Sequence, residues 1–177
     1  AHEMAKTKPG DAVTFVDGQW HDGSPAVIKP RDHGFWLASH VFDGARSMFG
    51  CIPDLDLHCQ RLIQSAEVMG MAPTVTAEEI AILAREGVKQ FPKGTELYIC
   101  PMFYPDGGFI VPDPASTQFL LHISVSPLPV PDGFSACQTR FRRPAREMAP
   151  TEAKASCLYP NVARGISEAN AKGFDVA

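Results

Sequence analysis

The amino-acid sequence predicts an α+β fold in which helices pack on an antiparallel sheet. A β-hairpin signal lies near the start, two amphipathic helical segments follow it, and two long strand-like runs come after the helices. Because strands and helices are grouped rather than alternating, the pattern favours an antiparallel sheet. The 177 residues, 45% hydrophobic and 20% charged, suffice for a core and are unlike a disordered chain or a disulfide scaffold.

The first strands are predicted from turn residues. Apolar residues flank Asp17 and Gly18, a pair that readily adopts the positive φ values of a type I′ turn. We therefore expect a tight hairpin over residues 14–20. A second pair of strands is predicted around residues 41–42 and 48–49.

Two helices are predicted next. Apolar residues recur every three or four positions over residues 55–69, and Gly70 ends the pattern. The second helix begins after Thr76, which forms a capping box with Glu79, and it ends before Pro92. Each helix has one apolar face to bury against the sheet.

Prolines divide the chain into domains. Strand-like runs over residues 97–104 and 119–126 complete the first unit, and a proline-rich stretch that cannot continue a strand ladder follows them. We predict a small N-terminal α+β domain over residues 1–125 and an interdomain loop over residues 126–134. Residues 135–177 begin a second domain.

The second domain is predicted to be incomplete. Its pattern gives a strand over residues 134–142, a helix over residues 161–172 and the start of a strand at residue 174. A segment this short cannot close its own core. We therefore expect the larger C-terminal domain of the fold to be truncated in this sequence.

The charge balance argues against nucleic acid as the main partner. Sixteen Lys and Arg against twenty Asp and Glu give a net charge of -4, whereas phosphate binding needs a basic face. We expect the one dense basic run to be a solvated strand end. It consists of Arg140, Arg142, Arg143 and Arg146.

The cysteines and the apolar runs bear on localisation. The five cysteines form no Cys-x-x-Cys pair, so we predict reduced, mostly buried thiols. The first residues lack a basic segment followed by an apolar one, so no signal peptide is predicted. The longest apolar stretch is far too short to span a membrane. We expect a soluble, cytoplasmic chain that does not bind membranes.

Candidate chemistry centres on one lysine. The six histidines show no metal-ligand spacing, so no metal site is expected. Lys154 has small neighbours, Ala153, Ala155 and Ser156, which leave room for a flat ligand. A lone lysine is usually a solvated surface charge, and chemistry requires a desolvated amine that attacks a carbonyl. Nearby Tyr159 either hydrogen-bonds an anionic ring oxygen or simply packs at a helix start.

Four motifs in order carry a resemblance to a known family. Residues 150–155 (Pro-Thr-Glu-Ala-Lys-Ala) with Tyr159 resemble the cofactor-lysine segment of the class IV, fold-type IV aminotransferases, whose best-known members act on branched-chain amino acids. Residues 40–46 are similar to the family's V-F-[ED]-G-x-R strand, and residues 57–66 to its H-x-x-R-L-x-x-S-A helix. Residues 97–102 match its Y-I-R-P strand except at one position.

The resemblance implies a function and a set of site residues. Lys154 would form a Schiff base with pyridoxal phosphate and then move a proton on the substrate. Arg61 would bind the cofactor phosphate, and Tyr159 would hydrogen-bond the ring oxygen. Phe42 and Tyr98 would line the substrate pocket. The family also implies that residues 135–177 begin its larger, cofactor-binding domain. It implies a homodimer or a higher oligomer, with the active site at the domain and subunit boundary.

Two departures leave the substrate open. Cys100 stands where branched-chain enzymes commonly carry arginine, and Leu37 stands where several carry tyrosine, and neither can hold a distal carboxylate. We expect amino transfer from a branched-chain or other apolar amino acid to a 2-oxo acid. The alternatives are an (R)-selective amine transaminase and a catalytically silent assembly domain. The family's remaining cofactor contacts come from later segments, so a second chain or a missing C-terminal part would complete the site.

Overall fold

The computed structural model describes residues 10–129 and 131–177 of the chain. Six strands and four α-helices are defined there, with short 3-10 turns at Pro114–Ser116 and Ser156–Leu158. In chain order the elements are β1 (Ala12–Val16), β2 (Gln19–Asp22), α1 (His33–Trp36), β3 (Val41–Phe42), β4 (Ala45–Ser47), α2 (Leu55–Val68), α3 (Ala77–Val88), β5 (Leu97–Pro105), β6 (Thr117–Val125) and α4 (Tyr159–Ala171).

The strands form one antiparallel sheet. Its order is β2-β1-β6-β5-β3, and β4 also pairs with β5. Ile99 and Phe103 of β5 lie in the core together with Leu62 of α2 and Ile80 of α3. Because side chains alternate along a strand, Tyr98 and Cys100 of β5 face the opposite side of the sheet. The predicted packing of helices on an antiparallel sheet is confirmed.

Local turn and cap signals are confirmed as well. Asp17 and Gly18 have φ values of 52° and 76°, as a tight hairpin between β1 and β2 requires. At the start of α3, Glu79 N–H donates to Thr76 Oγ1 over 3.2 Å, and Thr76 N–H donates to Glu79 Oε2 over 2.7 Å. Both halves of the capping box are therefore present.

The predicted second strand pair is wrong. β3 and β4 do not pair with each other, and both instead lie along β5. Residues 48–51 form a tight turn, closed by reciprocal backbone hydrogen bonds between Met48 and Cys51. Phe49 and Gly50 have φ values of 52° and 78°, which cannot extend a strand.

The strand predictions in the last third are also wrong. Residues 134–142 and 174–177 contribute one isolated bridge, between Ala136 and Val176, and no strand is defined there. Residues 175 and 176 do lie beside residues 135–137 and share three backbone hydrogen bonds with them, but this contact is too short to form a strand. The basic run lies in this irregular segment, so it is no strand end. The predicted helix is confirmed as α4, followed by Gly173 at φ 82°.

Several sequence predictions concern features outside the regular elements. The predicted interdomain loop has no helix or strand at residues 126–129 and 131–133, and Val130 lies outside the described residues. Residues 1–9, for which no signal peptide is predicted, also lie outside the described residues. The predicted domain boundaries stay a prediction. No helix in the described part is long and apolar enough to cross a membrane. All five thiols are free, but only Cys59 and Cys100 are buried, so the prediction of mostly buried thiols is wrong.

Candidate active site around Lys154

The backbone of Lys154 is tied to the sheet edge and to α2. Its N–H donates to Ser65 Oγ over 3.0 Å, and its C=O accepts from the N–H of Phe42 over 3.2 Å. Val41 of β3 forms an isolated bridge with Ala155. Ala153 and Ala155, on either side of Lys154, are buried. The segment is thereby held at the edge of the sheet.

The Lys154 amine lies between two aromatic rings. Nζ donates to the Tyr159 hydroxyl over 2.5 Å and lies 4.6 Å from the centroid of the Phe42 ring. The Phe42 and Tyr159 rings are 5.0 Å apart between centroids. Among residues 10–129 and 131–177, no carboxylate lies within ion-pair distance of Nζ. The rings stabilise the ammonium by cation–π attraction, while no counter-ion blocks the amine.

A buried carboxylate holds Arg61 next to this lysine segment. Asp43, directly after β3, is fully buried, and it accepts from Arg61 Nε over 2.7 Å and from Arg61 Nη2 over 2.8 Å. His58, one turn earlier on α2, places Nδ1 2.8 Å from the same carboxylate. Burial alone would raise the pKa of Asp43, but hydrogen bonds from Arg61, His58 and Gly44 N–H lower it overall. The hydrogen bond to Asp43 in turn raises the pKa of Arg61.

The face of β5 towards this site is electrically neutral. Burial raises the pKa of the Cys100 thiol to about 11. The pKa of Tyr98 is raised mainly by burial and also by the neighbouring Cys100. Both side chains therefore carry no charge at neutral pH. Gly44 lies against the Tyr98 ring, where a Cβ would come within 2.9 Å of Cε2 and Cζ. The site thus combines a cationic amine and a guanidinium with uncharged walls.

The structure brings together most of the predicted site residues, though not all. Lys154, Tyr159 and Phe42 are in direct contact, and Arg61 interacts electrostatically with Tyr159. Leu37 lies at the C-terminal end of α1 with its side chain exposed, next to other exposed apolar residues.

Sequence reasoning missed three residues, Asp43, His58 and Ser65. Each lies within one of the four motifs, so the motif itself was the available signal. Their roles depend on contacts between elements far apart in the sequence, which no local pattern reveals.

Two cavities lie away from the lysine. One of about 470 Å³ lies between α2 and the segment before α3 and includes Gln60 and Val75. The other, of about 320 Å³, is lined by Tyr104 and Lys29 among others. Lys29 and Tyr104 both line the second cavity, but among the described residues the lysine amine hydrogen-bonded to a phenol is that of Lys154, so we assign the site by its chemistry rather than by cavity size. No group of three or more metal-ligating side chains occurs in the described residues.

Comparison with known proteins identifies the family. The family model described as amino-transferase class IV matches residues 40–177. The chain belongs to the class IV aminotransferases. This confirms the family that the four motifs indicated, and with it the fold type.

Individual relatives agree with this assignment. A protein of Rickettsia typhi named "Probable branched-chain-amino-acid aminotransferase" is 30% identical over 98% of this chain and 61% of its own length. The crystal structure of a Brucella abortus aminotransferase bound to pyridoxal phosphate is 43% identical, with a TM-score of 0.90 over 93% of this chain and 60% of that one. A branched-chain aminotransferase of Thermoproteus uzoniensis, solved with norvaline, is 28% identical, with a TM-score of 0.80 over 92% of this chain and 57% of that one. The chain thus spans about three-fifths of the length of these class IV aminotransferases.

Proposed function

We propose that the protein is a pyridoxal-phosphate-dependent aminotransferase that moves an amino group from a branched-chain or other apolar amino acid to a 2-oxo acid. The observation that carries the proposal is the Lys154 amine, which contacts the Tyr159 hydroxyl at 2.5 Å and has no carboxylate partner among the described residues. The Brucella abortus relative, solved with the cofactor, supports it.

The residues present fit this cofactor. Lys154 offers a primary amine for an aldehyde, Tyr159 offers a phenol beside it, and Arg61 offers a half-exposed guanidinium for a phosphate. When bound, pyridoxal phosphate supplies an electron sink for negative charge at the substrate α-carbon. Nζ of Lys154 is the atom that would take and return the α-proton. The Tyr159 hydroxyl orients that amine, and the Phe42 ring packs against both side chains.

The uncharged wall of β5 supports an apolar amino donor. Tyr98 and Cys100 both stay neutral, so an alkyl side chain can lie against them without leaving a charge unpaired. The Thermoproteus uzoniensis relative was solved with norvaline, an apolar amino acid. Cys100 also favours the second candidate, an (R)-selective amine transaminase, because a thiol cannot hold a second substrate carboxylate as arginine does.

An exposed apolar surface supports assembly as a homodimer. The surface comprises α1 and the loop after β5, and a 6.2 Å ring contact between Trp36 and Phe109 joins the two parts. Apolar patches of this kind on a chain surface mark interaction sites. We propose that a second copy of the chain covers it. Its side chains are Phe35, Trp36, Leu37, Phe109, Ile110 and Val111.

The lysine assignment is tested by the variant Lys154→Ala. Purified wild-type protein mixed with pyridoxal phosphate should acquire the visible absorbance of lysine-bound cofactor, and the variant should not. Lys172→Ala, which changes an exposed lysine directly after α4, is the matched control and should behave as wild type. Absorbance retained by Lys154→Ala would contradict the assignment. Wild-type protein without any such absorbance would favour the silent assembly domain.

A further inference from the structure

Asp43 and Arg61 form an ion pair with one buried and one exposed member. The Asp43 side chain is 0% exposed, whereas that of Arg61 is 51% exposed. The carboxylate accepts two hydrogen bonds from Arg61, one from His58 Nδ1 and one of 2.7 Å from Gly44 N–H. It is therefore fully satisfied, and the carboxylate fixes the orientation of the guanidinium from its inner side.

Counting N–H donors shows which edge of Arg61 is free. A guanidinium has five N–H groups. Asp43 takes one on Nε and one on Nη2, which leaves two on Nη1 and one on Nη2. His58 Nδ1 lies 3.3 Å from Nη2, but this nitrogen must donate its proton to Asp43 and cannot also accept. Among the described residues no other acceptor contacts this edge, which presents paired N–H groups suited to a phosphate.

The arrangement is linked to Lys154 through the backbone. Ser65 Oγ donates to the C=O of Arg61 over 2.7 Å and accepts the N–H of Lys154 over 3.0 Å. Phe42, the residue before Asp43, donates its N–H to the C=O of Lys154. Both ends of the ion pair are therefore connected to the lysine segment, one through α2 and the other through β3. The Arg61 side chain is in turn held by its two hydrogen bonds to Asp43.

We propose that Asp43 is a positioning residue that holds the Arg61 guanidinium with its free edge towards a phosphate monoester, at a fixed separation from the Lys154 amine. The inference rests on the proposed function, because the phosphate is that of the cofactor. In Asp43→Asn the side chain keeps one oxygen and gains an NH₂ donor, so the two N–H groups of the fork no longer have one acceptor oxygen each. Arg61 then rotates freely and its grip on the phosphate weakens.

The test compares pyridoxal phosphate with pyridoxal, which lacks the phosphate. For Asp43→Asn we expect the affinity for pyridoxal phosphate to fall about 10- to 100-fold, and that for pyridoxal to stay near the wild-type value. Asp56→Asn, which changes an exposed carboxylate in the first turn of α2, is the control and should alter neither. Equal losses for both compounds, or no loss for either, would overturn the proposal, because a merely structural residue cannot discriminate them.

A measurement on the wild-type chain covers the case in which Asp43→Asn does not fold. The Arg61 Nε–H, held by Asp43, should exchange with solvent about tenfold or more slowly in NMR spectra than that of the exposed Arg143. Inorganic phosphate should shift the Arg61 side-chain signals in the wild type and in Lys154→Ala. Such a shift without any cofactor bond at Lys154 would sink the proposed function but leave this inference standing. An Arg61 signal that exchanges as fast as that of Arg143, or ignores phosphate, would overturn the inference.

Discussion

Replacing Ser65 by alanine tests whether the lysine segment is fixed to α2. The hydroxyl is fully buried and makes two hydrogen bonds, donating to the C=O of Arg61 and accepting from the N–H of Lys154. The Arg61 carbonyl keeps the hydrogen bond of its own helix, so its loss is small. The Lys154 N–H is left without a partner in a partly buried position, which costs about 1–3 kcal/mol. Alanine regains about 0.5 kcal/mol of helix propensity, so the expected net loss is about 0.5–2.5 kcal/mol.

Urea unfolding measures this loss directly. The matched control is Ser167→Ala, an exposed serine of α4, for which a change within about 0.5 kcal/mol is expected. We also expect Ser65→Ala to bind pyridoxal phosphate more weakly than the control, because the lysine segment is no longer fixed. A Ser65→Ala protein as stable as Ser167→Ala would refute the reasoning, since the hydroxyl would then not be what links the two segments.

Three further predictions concern the sheet. Gly44→Ala should lose about 1–3 kcal/mol in urea unfolding, because the new Cβ collides with the Tyr98 ring; an unchanged midpoint would contradict this. Cys100→Arg should raise the affinity for 2-oxoglutarate about tenfold or more, measured as KM, whereas an unaltered KM would place Cys100 outside the substrate pocket. Burial lowers the pKa of His122, whose Nδ1–H donates to Thr14 Oγ1 over 2.9 Å because the Thr14 hydroxyl proton is given to the C=O of Gly23. As the pH falls, the imidazole is therefore protonated in the unfolded chain before it is protonated in the folded one. Stability should fall as the pH drops below about 6.5 towards the lower folded pKa, and His122→Gln should flatten that fall in urea midpoints.

Features specified by neighbouring residues could be predicted from the sequence. Asp17 and Gly18 adopt the positive φ values that their turn requires, and Thr76 and Glu79 form the predicted capping box. Both depend on residues at most three positions apart, so the chain encodes them without reference to its partners.

Features that depend on distant partners could not be predicted. Residues 48–49 resemble a strand in composition, but the neighbouring β5 pairs with residues 45–47 instead. Residues 134–142 have a strand pattern, but among the described residues they form one isolated bridge, between Ala136 and Val176, and no strand. Strand pairing is decided by the sheet as a whole, so composition alone overestimates it.

The same limit applies to the candidate site. Lys154, Arg61 and Tyr159 were selected from motifs, since reactive or charged side chains are conspicuous in a sequence. Asp43 and Ser65 contribute through their contacts with these residues, across separations of 18 and 89 positions. Only the folded chain shows that one orients the guanidinium and the other fixes the lysine backbone.

Chemical trapping of the cofactor is the most direct test of the central claim, that Lys154 is the residue which binds pyridoxal phosphate. The protein would be mixed with the cofactor, reduced with borohydride, digested and mapped by mass spectrometry. We expect a stable phosphopyridoxyl group on Lys154 and none on Lys29 or Lys172. A label on another lysine, or no label at all, would contradict it.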